Sequence, residues 1–254
     1  MAALYTVLIW WFSTGVILYL NGLPKHTFRW TMMAATLVLI AALAGLHVSS
    51  QSAQVWAAYC AFTCAVLVWA WQEIGFLLGF VTGSRKTDCP KGAQGWKKFG
   101  FAAETVSHHE IALVVLGAAV WLVTQDAPNQ VGVWTYLVLW AMRQSAKLNV
   151  YFGVRNLNES FLPTHLKYLQ TYFTRKAMNA FLPVSVILAS LVAVPIWQAV
   201  GLATIGSFEV VALTLTASLL SLAILEHFFL VLPLPFELLW KWGLRSRVAS
   251  QSPR

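Results

Sequence analysis

The residues most suited to chemistry stand in unusual company. In "TVSHHEIALVVL", His108, His109 and Glu110 open a run that is otherwise apolar. Glu104 precedes His108 by four residues, one helical turn, so the two share a face; His109 is about 100° away. Glu73, Arg143 and the adjacent pair Glu226 and His227 are embedded in three other apolar stretches. Imidazole and carboxylate groups suit iron, zinc or manganese, which makes Glu73, Glu104, His108, His109, Glu110, Glu226 and His227 candidate metal ligands. A neutral imidazole nitrogen can equally hold the magnesium of a chlorin. The alternative is structural: opposite charges on neighbouring helices that lock together, with Arg143 pairing Glu73, Glu110 or Glu226. The spacings do not decide. Helical di-iron proteins use Glu-x-x-His on two helices, and neither Glu104-x-x-x-His108 nor Glu226-His227 has that form. Six histidines in the whole chain are too few for desaturase-type histidine boxes. His47 and His26 read as ordinary polar residues near an interface and in a loop.

The elements carrying these groups are membrane spans. Hydrophobic residues make up 59% of the 254 and charged residues 10%, against about 25% charged in soluble domains; mean hydropathy is +0.67. A span needs about 20 mostly apolar residues. Seven runs qualify, near 4–21, 31–48, 55–81, 101–124, 131–151, 179–200 and 207–235, separated by turn formers such as Asn21-Gly22, Pro128-Asn129 and Gly201. The third and seventh are long enough to imply tilt or extension beyond the bilayer. The expected class is therefore all-α: a polytopic bundle forming one integral membrane domain over 1–254. Met1 to Gly15 has no basic n-region and no cleavage pattern, so no signal peptide is expected.

All 17 Lys and Arg fall in or after spans one, three, five and seven, ending with Lys241, Arg245, Arg247 and Arg254. The links after spans two, four and six have none. By the positive-inside rule this puts the N-terminus in the periplasm and the C-terminus in the cytoplasm. It also accounts for the net charge of +8 through orientation and anionic lipid, not nucleic acid. Trp30, Trp56, Trp121, Trp134, Trp197, Trp240 and Trp242 fall near span ends, as interfacial anchors do. Cys60 and Cys64 read as packing residues and Cys89 as a reduced loop thiol.

Counted from the predicted span ends at about 1.5 Å per residue, Glu73, His108, His109, Glu110, Arg143, Glu226 and His227 all lie roughly 12–18 Å inside the basic boundary. Four helices thus share one polar layer. Each charge costs roughly 2.5–3.5 kcal/mol near the bilayer centre, so the layer must face inward and pair, neutralise or bind. Lys147, nearer the boundary, is expected to snorkel to it. Gly75, Gly79 and Gly83 at four-residue intervals suggest a small-residue stripe for close helix packing. Asn156, Asn158 and Glu159 follow Arg155 in a polar stretch. The segment near 161–175, "LPTHLKYLQTYF" at its heart, reads as an amphipathic cytoplasmic helix. "FELLWKWGLRSR", after Pro233 and Pro235 end the seventh span, reads as a second surface segment. No phosphate-binding glycine loop, nucleophile elbow or internal repeat is present.

The strings "LYTVLIWWFSTGVILYLNGLP", "WQEIGFLLGFVTG", "HHEIALVVLGAA", "MRQSAKLNVYFGVRNLNESFLPTHLKYL" and "LEHFFLVLPLP" together resemble the PuhE family, photosynthetic complex assembly proteins of purple phototrophic bacteria. The resemblance runs along nearly the whole chain. It implies an inner-membrane protein, in the cytoplasmic or intracytoplasmic photosynthetic membrane, encoded with reaction-centre genes. It implies a part in assembling the reaction centre and light-harvesting antenna, or in bacteriochlorophyll supply. Its expected partners are membrane lipid, reaction-centre or light-harvesting subunits and other assembly factors. It carries no catalytic residues to this chain. Bacteriochlorophyll or a transition metal is the cofactor class to test. The alternative reading is a membrane metal-dependent oxidoreductase acting on a tetrapyrrole or quinone through the His/Glu cluster.

Overall fold

The computed structural model describes residues 1–157 and 159–251; Asn158 and Arg254 lie outside them. It is all-helical. Seven long helices among the described residues are α1 (Ala2–Asn21), α2 (Phe28–Ser50), α3 (Val55–Leu77), α4 (Gly95–Thr124), α5 (Val131–Phe152), α6 (Phe181–Leu202) and α7 (Phe208–Phe229), followed by the short α8 (Lys241–Gln251). Six are long and apolar enough to cross a membrane, which makes this a multi-pass membrane protein. The exception is α5. Arg143, Gln144, Ser145, Lys147 and Asn149 crowd its second half, yet it runs antiparallel beside α4: Tyr136 meets Leu113 and Lys147 meets Glu110.

α3 is the axis of the bundle. Two thirds of its span is buried (67%), against 17% for α1, α2 and α6. Ala57, Ala58, Ala61 and Ala65 are fully buried on it, and such small side chains let neighbouring backbones approach where lipid supplies no hydrophobic drive between helices. Leu46, Phe62, Val68, Leu113 and Tyr136 fill the space around them. At this end the turns are closed by side chains. Asn129 donates to the Ser49 carbonyl and accepts from Val131 N–H, stitching the end of α2 to the start of α5. Ser207 caps α7.

The helices depart from the expected spans mostly at the basic end. The third ends at Leu77, not 81, and the seventh at Phe229, not 235, while the fourth is the longest at 30 residues. After Leu77 the chain folds back: the N–H groups of Phe80 and Val81 both return to the Gly75 carbonyl, and Gly79 has φ +86°. The glycines are therefore no helical stripe. Only Gly75 is on α3; Gly79 supplies the turn; Gly83 packs on the backbone of Glu104 and Thr105 in α4. Beyond α7, Asn156 takes over the exposed helix end by donating to the Phe229 and Leu232 carbonyls, so the helix stops before its prolines.

Both expected surface segments are packed instead. Thr164–Tyr172 is a 3-10 helix whose Leu166, Leu169 and Tyr172 are buried, with Leu166 and Leu169 against Phe76 and Leu77. α8 runs parallel to the second half of α1. Trp11 bonds Leu239 O, Gly243 abuts Gly15, Ser246 bonds Tyr19 O and Arg247 bonds Asn21. Trp240 is buried and Trp242 stacks on Phe12, so these two are internal contacts and not interfacial anchors. Trp30, Trp56, Trp121, Trp134 and Trp197 are exposed.

Candidate functional site

The polar layer is assembled around α5. Arg143 reaches Glu73 on α3 at 3.0 Å. Lys147 reaches Glu110 on α4 at 2.6 Å, and Gln144 donates to the other oxygen of the same carboxylate. Ser145 meets His227 on α7 at 2.8 Å. Asn149 donates to Ser185 on α6 at 3.2 Å. Successive residues of a helix point about 100° apart, so this run "RQSAKLN" spreads donors around the helix and needs a partner on every side. Four other helices supply them. Lys147, expected to snorkel, is half-buried and ion-paired instead, because Glu110 lies one helix away at its own depth.

Seven side chains were expected in one layer, and the structure divides them. Glu73, Glu110 and Arg143 are joined through α5 by charge. His227 is buried and fully bonded. Its Nδ1 lies 2.8 Å from the Ala223 carbonyl, which only accepts, so Nδ1 carries the proton and Nε2 accepts from Ser145. That imidazole has no lone pair left for a metal. His108 faces out of the bundle and is exposed, as is Glu104, which lies 3.8 Å from Arg85. Glu226 is also exposed and accepts from Trp10 Nε1 at 2.6 Å. Glu73 and Glu226 belong to the last one or two turns of α3 and α7. On α3 and α7 the layer is thus nearer the helix ends than span counting suggested, whereas on α4, which begins at Gly95, it lies farther from the start.

His109 is different. It is buried, its ring rests 4.7 Å from that of Phe76, and neither nitrogen has a hydrogen-bond partner. Gln72 Oε1 and Asn149 Oδ1 are likewise buried without partners. The chain after α3 docks on α4 beside it. The Thr82 carbonyl accepts the His109 N–H at 2.8 Å, and the Glu104 carbonyl accepts from Arg85 N–H at 3.3 Å. Gly83 is what lets the 82–85 strand of chain lie against α4, since any Cβ there would strike the α4 backbone.

Among the described residues, no three of the His, Cys, Asp or Glu side chains converge as a metal site. The candidate ligands are dispersed: Glu104, His108 and Glu226 on the bundle's exterior, Glu73 and Glu110 in ion pairs, His227 bonded, and His109 buried without a partner. Reasoning from charge alone missed Trp10, Gln72, Gln144, Ser145, Asn149 and Ser185. The signal available was the density of polar side chains on one helix that must be enclosed by others.

The family described as "Protein of unknown function (DUF3623)" matches residues 1–251. A relative from Rhodobacter capsulatus, described as "Uncharacterized 30.4 kDa protein in puhA 5'region", is 36% identical over 258 aligned positions, which cover 97% of this chain and 91% of the relative. No solved structure gives a significant match.

Proposed function

The chain belongs to the DUF3623 family, and from that premise we propose that it is a non-enzymatic assembly factor of the photosynthetic inner membrane. Two lines support the photosynthetic setting: the relative's place in a puhA 5′ region, and the resemblance to the PuhE family along nearly the whole sequence. In this reading the N-terminus is periplasmic and the basic end of the bundle is cytoplasmic. The protein engages reaction-centre or light-harvesting subunits while they assemble, or the bacteriochlorophyll they receive.

One observation carries the binding role. Arg143 and Glu226 open onto the outside of an apolar bundle. The Arg143 side chain remains 43% exposed after pairing with Glu73, and only one of its nitrogens makes that bond. Glu226 is exposed beside Trp10. Leu225 and Phe228 on the same helix are exposed apolar residues. Charges facing lipid are costly and mark functional surfaces. A partner helix bearing its own polar group would cover this window and complete the donors of Arg143.

The test is purification of the full-length protein from native phototrophic membrane in mild detergent. Reaction-centre or antenna subunits should co-purify with the wild type and be lost with Arg143→Leu/Glu226→Leu, while the variant still accumulates. A protein that never associates with them counts against the proposal. Metal and pigment analysis of the same preparation separates the alternatives. Stoichiometric metal, lost in His108→Ala/His109→Ala/His227→Ala, would revive the oxidoreductase reading. Bacteriochlorophyll lost in that variant would make the layer a pigment site.

A further inference from the structure

At the basic end, between the α1–α2 turn, the turn after α3 and the Thr164–Tyr172 segment, is a cavity of about 280 Å³. Its lining includes Lys25, Lys86, Thr82, His165 and Tyr168, with Phe28 as an apolar wall, and no carboxylate. The floor is polar. The Thr82 and Tyr168 hydroxyls are shielded from solvent and lie close enough to hydrogen-bond each other, while His165 Nε2 is shielded without a partner, an uncommon state for a buried polar atom. Gly79, in its left-handed turn at φ +86°, has His165 against it where a side chain would be, so the geometry of the floor is held closely. A second cavity adjoins, sharing Lys25 and Phe28 and adding His26, Arg29 and Phe80.

We propose that this cavity is a phosphate-binding site, with Lys25 and Lys86 at the rim and Thr82, His165 and Tyr168 supplying hydrogen bonds from the floor. The chemistry is a compact anion with several acceptor oxygens: two ammonium groups neutralise it, and hydroxyl and imidazole donors orient it. Burial, followed by the nearby Lys25, Lys86 and Arg247 charges, holds the His165 pKa below its ordinary value, against a backbone hydrogen bond at Leu77. Basic pockets between helices at this depth suit lipid headgroups, and the apolar Phe28 and Phe80 would flank an acyl chain. A free phosphate offers the same oxygens. The site is independent of the assembly role, although the Thr82 carbonyl also holds the His109 N–H, so an occupant would be linked to the polar layer through one residue.

The experiment uses the full-length protein in mild detergent. Native mass spectrometry follows titration with phosphatidylglycerol, with phosphatidylcholine as control; thermal unfolding follows titration with inorganic phosphate. Lys25→Gln/Lys86→Gln is compared with Lys91→Gln/Lys97→Gln, which removes the same charge from exposed positions outside the cavity. One tightly held phosphatidylglycerol, weakened about tenfold or more by the first pair and retained by the second, establishes the site as a lipid headgroup site. Saturable stabilisation by phosphate with the same dependence, and no retained lipid, establishes it for a free phosphate. Tyr168→Phe should weaken either several-fold. Equal losses in both lysine pairs, indifference to Lys25 and Lys86, or binding of neither probe overturns the proposal.

Discussion

The two halves of the bundle are held by different means. Toward the starts of α3 and α5, contacts are made mostly by alanines, leucines and aromatic rings, with a few hydroxyls such as the Tyr5–Thr63 pair among them. Toward the ends of α3, α5 and α7, the helices are tied by Glu73–Arg143, Glu110–Lys147, Ser145–His227 and Asn149–Ser185, and several buried polar atoms are left over. The first half is stable through fit. The second specifies which helix faces which, and retains unused hydrogen-bonding capacity. The half that leaves Gln72, His109 and Asn149 with unsatisfied buried atoms also has the exposed charges and the basic cavity, and is where binding is expected to be found.

The contrast is most exposed to failure at Phe62, fully buried in the apolar half. Phe62→Ala should cost about 3–5 kcal/mol, transfer and cavity together, measured as unfolding in mixed micelles, with partner binding unchanged in whatever protein remains folded. A small loss would mean that the apolar half is not close-packed. Next is a pair of glycines. A Cβ on Gly83 meets the α4 backbone, whereas one on Gly132 meets chiefly the end of the Leu46 side chain. Gly83→Ala should cost about 3 kcal/mol and Gly132→Ala about 1 kcal/mol, since only the second clash can be relieved by a rotamer change. Equal losses would show the 82–85 contact to be soft.

Helix positions were legible because each apolar run is about as long as a bilayer is thick and is bounded by Gly, Pro or Asn. The concentration of positive charge at one end was legible for the same reason. What could not be read was how helices end when another segment satisfies their carbonyls. The seventh apolar run continues to Pro235, but Asn156, more than 70 residues earlier in the chain, captures the helix end at Phe229. Likewise the interval of four between Gly75, Gly79 and Gly83 looks helical, and only the fold-back onto the Gly75 carbonyl shows that it is not. Lys147 was misread because snorkelling and pairing use the same residue at the same depth. Only the position of Glu110 separates them.

The ion pairs sharpen the comparison at a smaller scale. Glu110→Gln removes the charge partner of Lys147 and alters the Gln144 bond. Both ionic side chains are about one third exposed or less, 26% and 34%, so the loss should be about 1–2 kcal/mol, below that of a fully buried pair. Restoring Lys147→Met in the same chain should recover most of it. No recovery would mean that the carboxylate, and not the pair, is what α4 requires.

The smallest effect is the most informative. His109 is buried with both ring nitrogens unpartnered, so the fold gains nothing from its polarity. Its backbone N–H, bonded to Thr82, would persist in any non-proline replacement. His109→Leu should therefore leave stability unchanged or raise it by about 1 kcal/mol, because an unsatisfied buried polar group is replaced by an apolar one. Stable protein that loses its partner or pigment would identify this imidazole as a group maintained for binding at a cost to the fold. A variant that is destabilised and still binds would make His109 a hydrogen-bonded part of the lock, reached by water or by a shift of Gln72, and would move the binding role outward to Arg143 and Glu226.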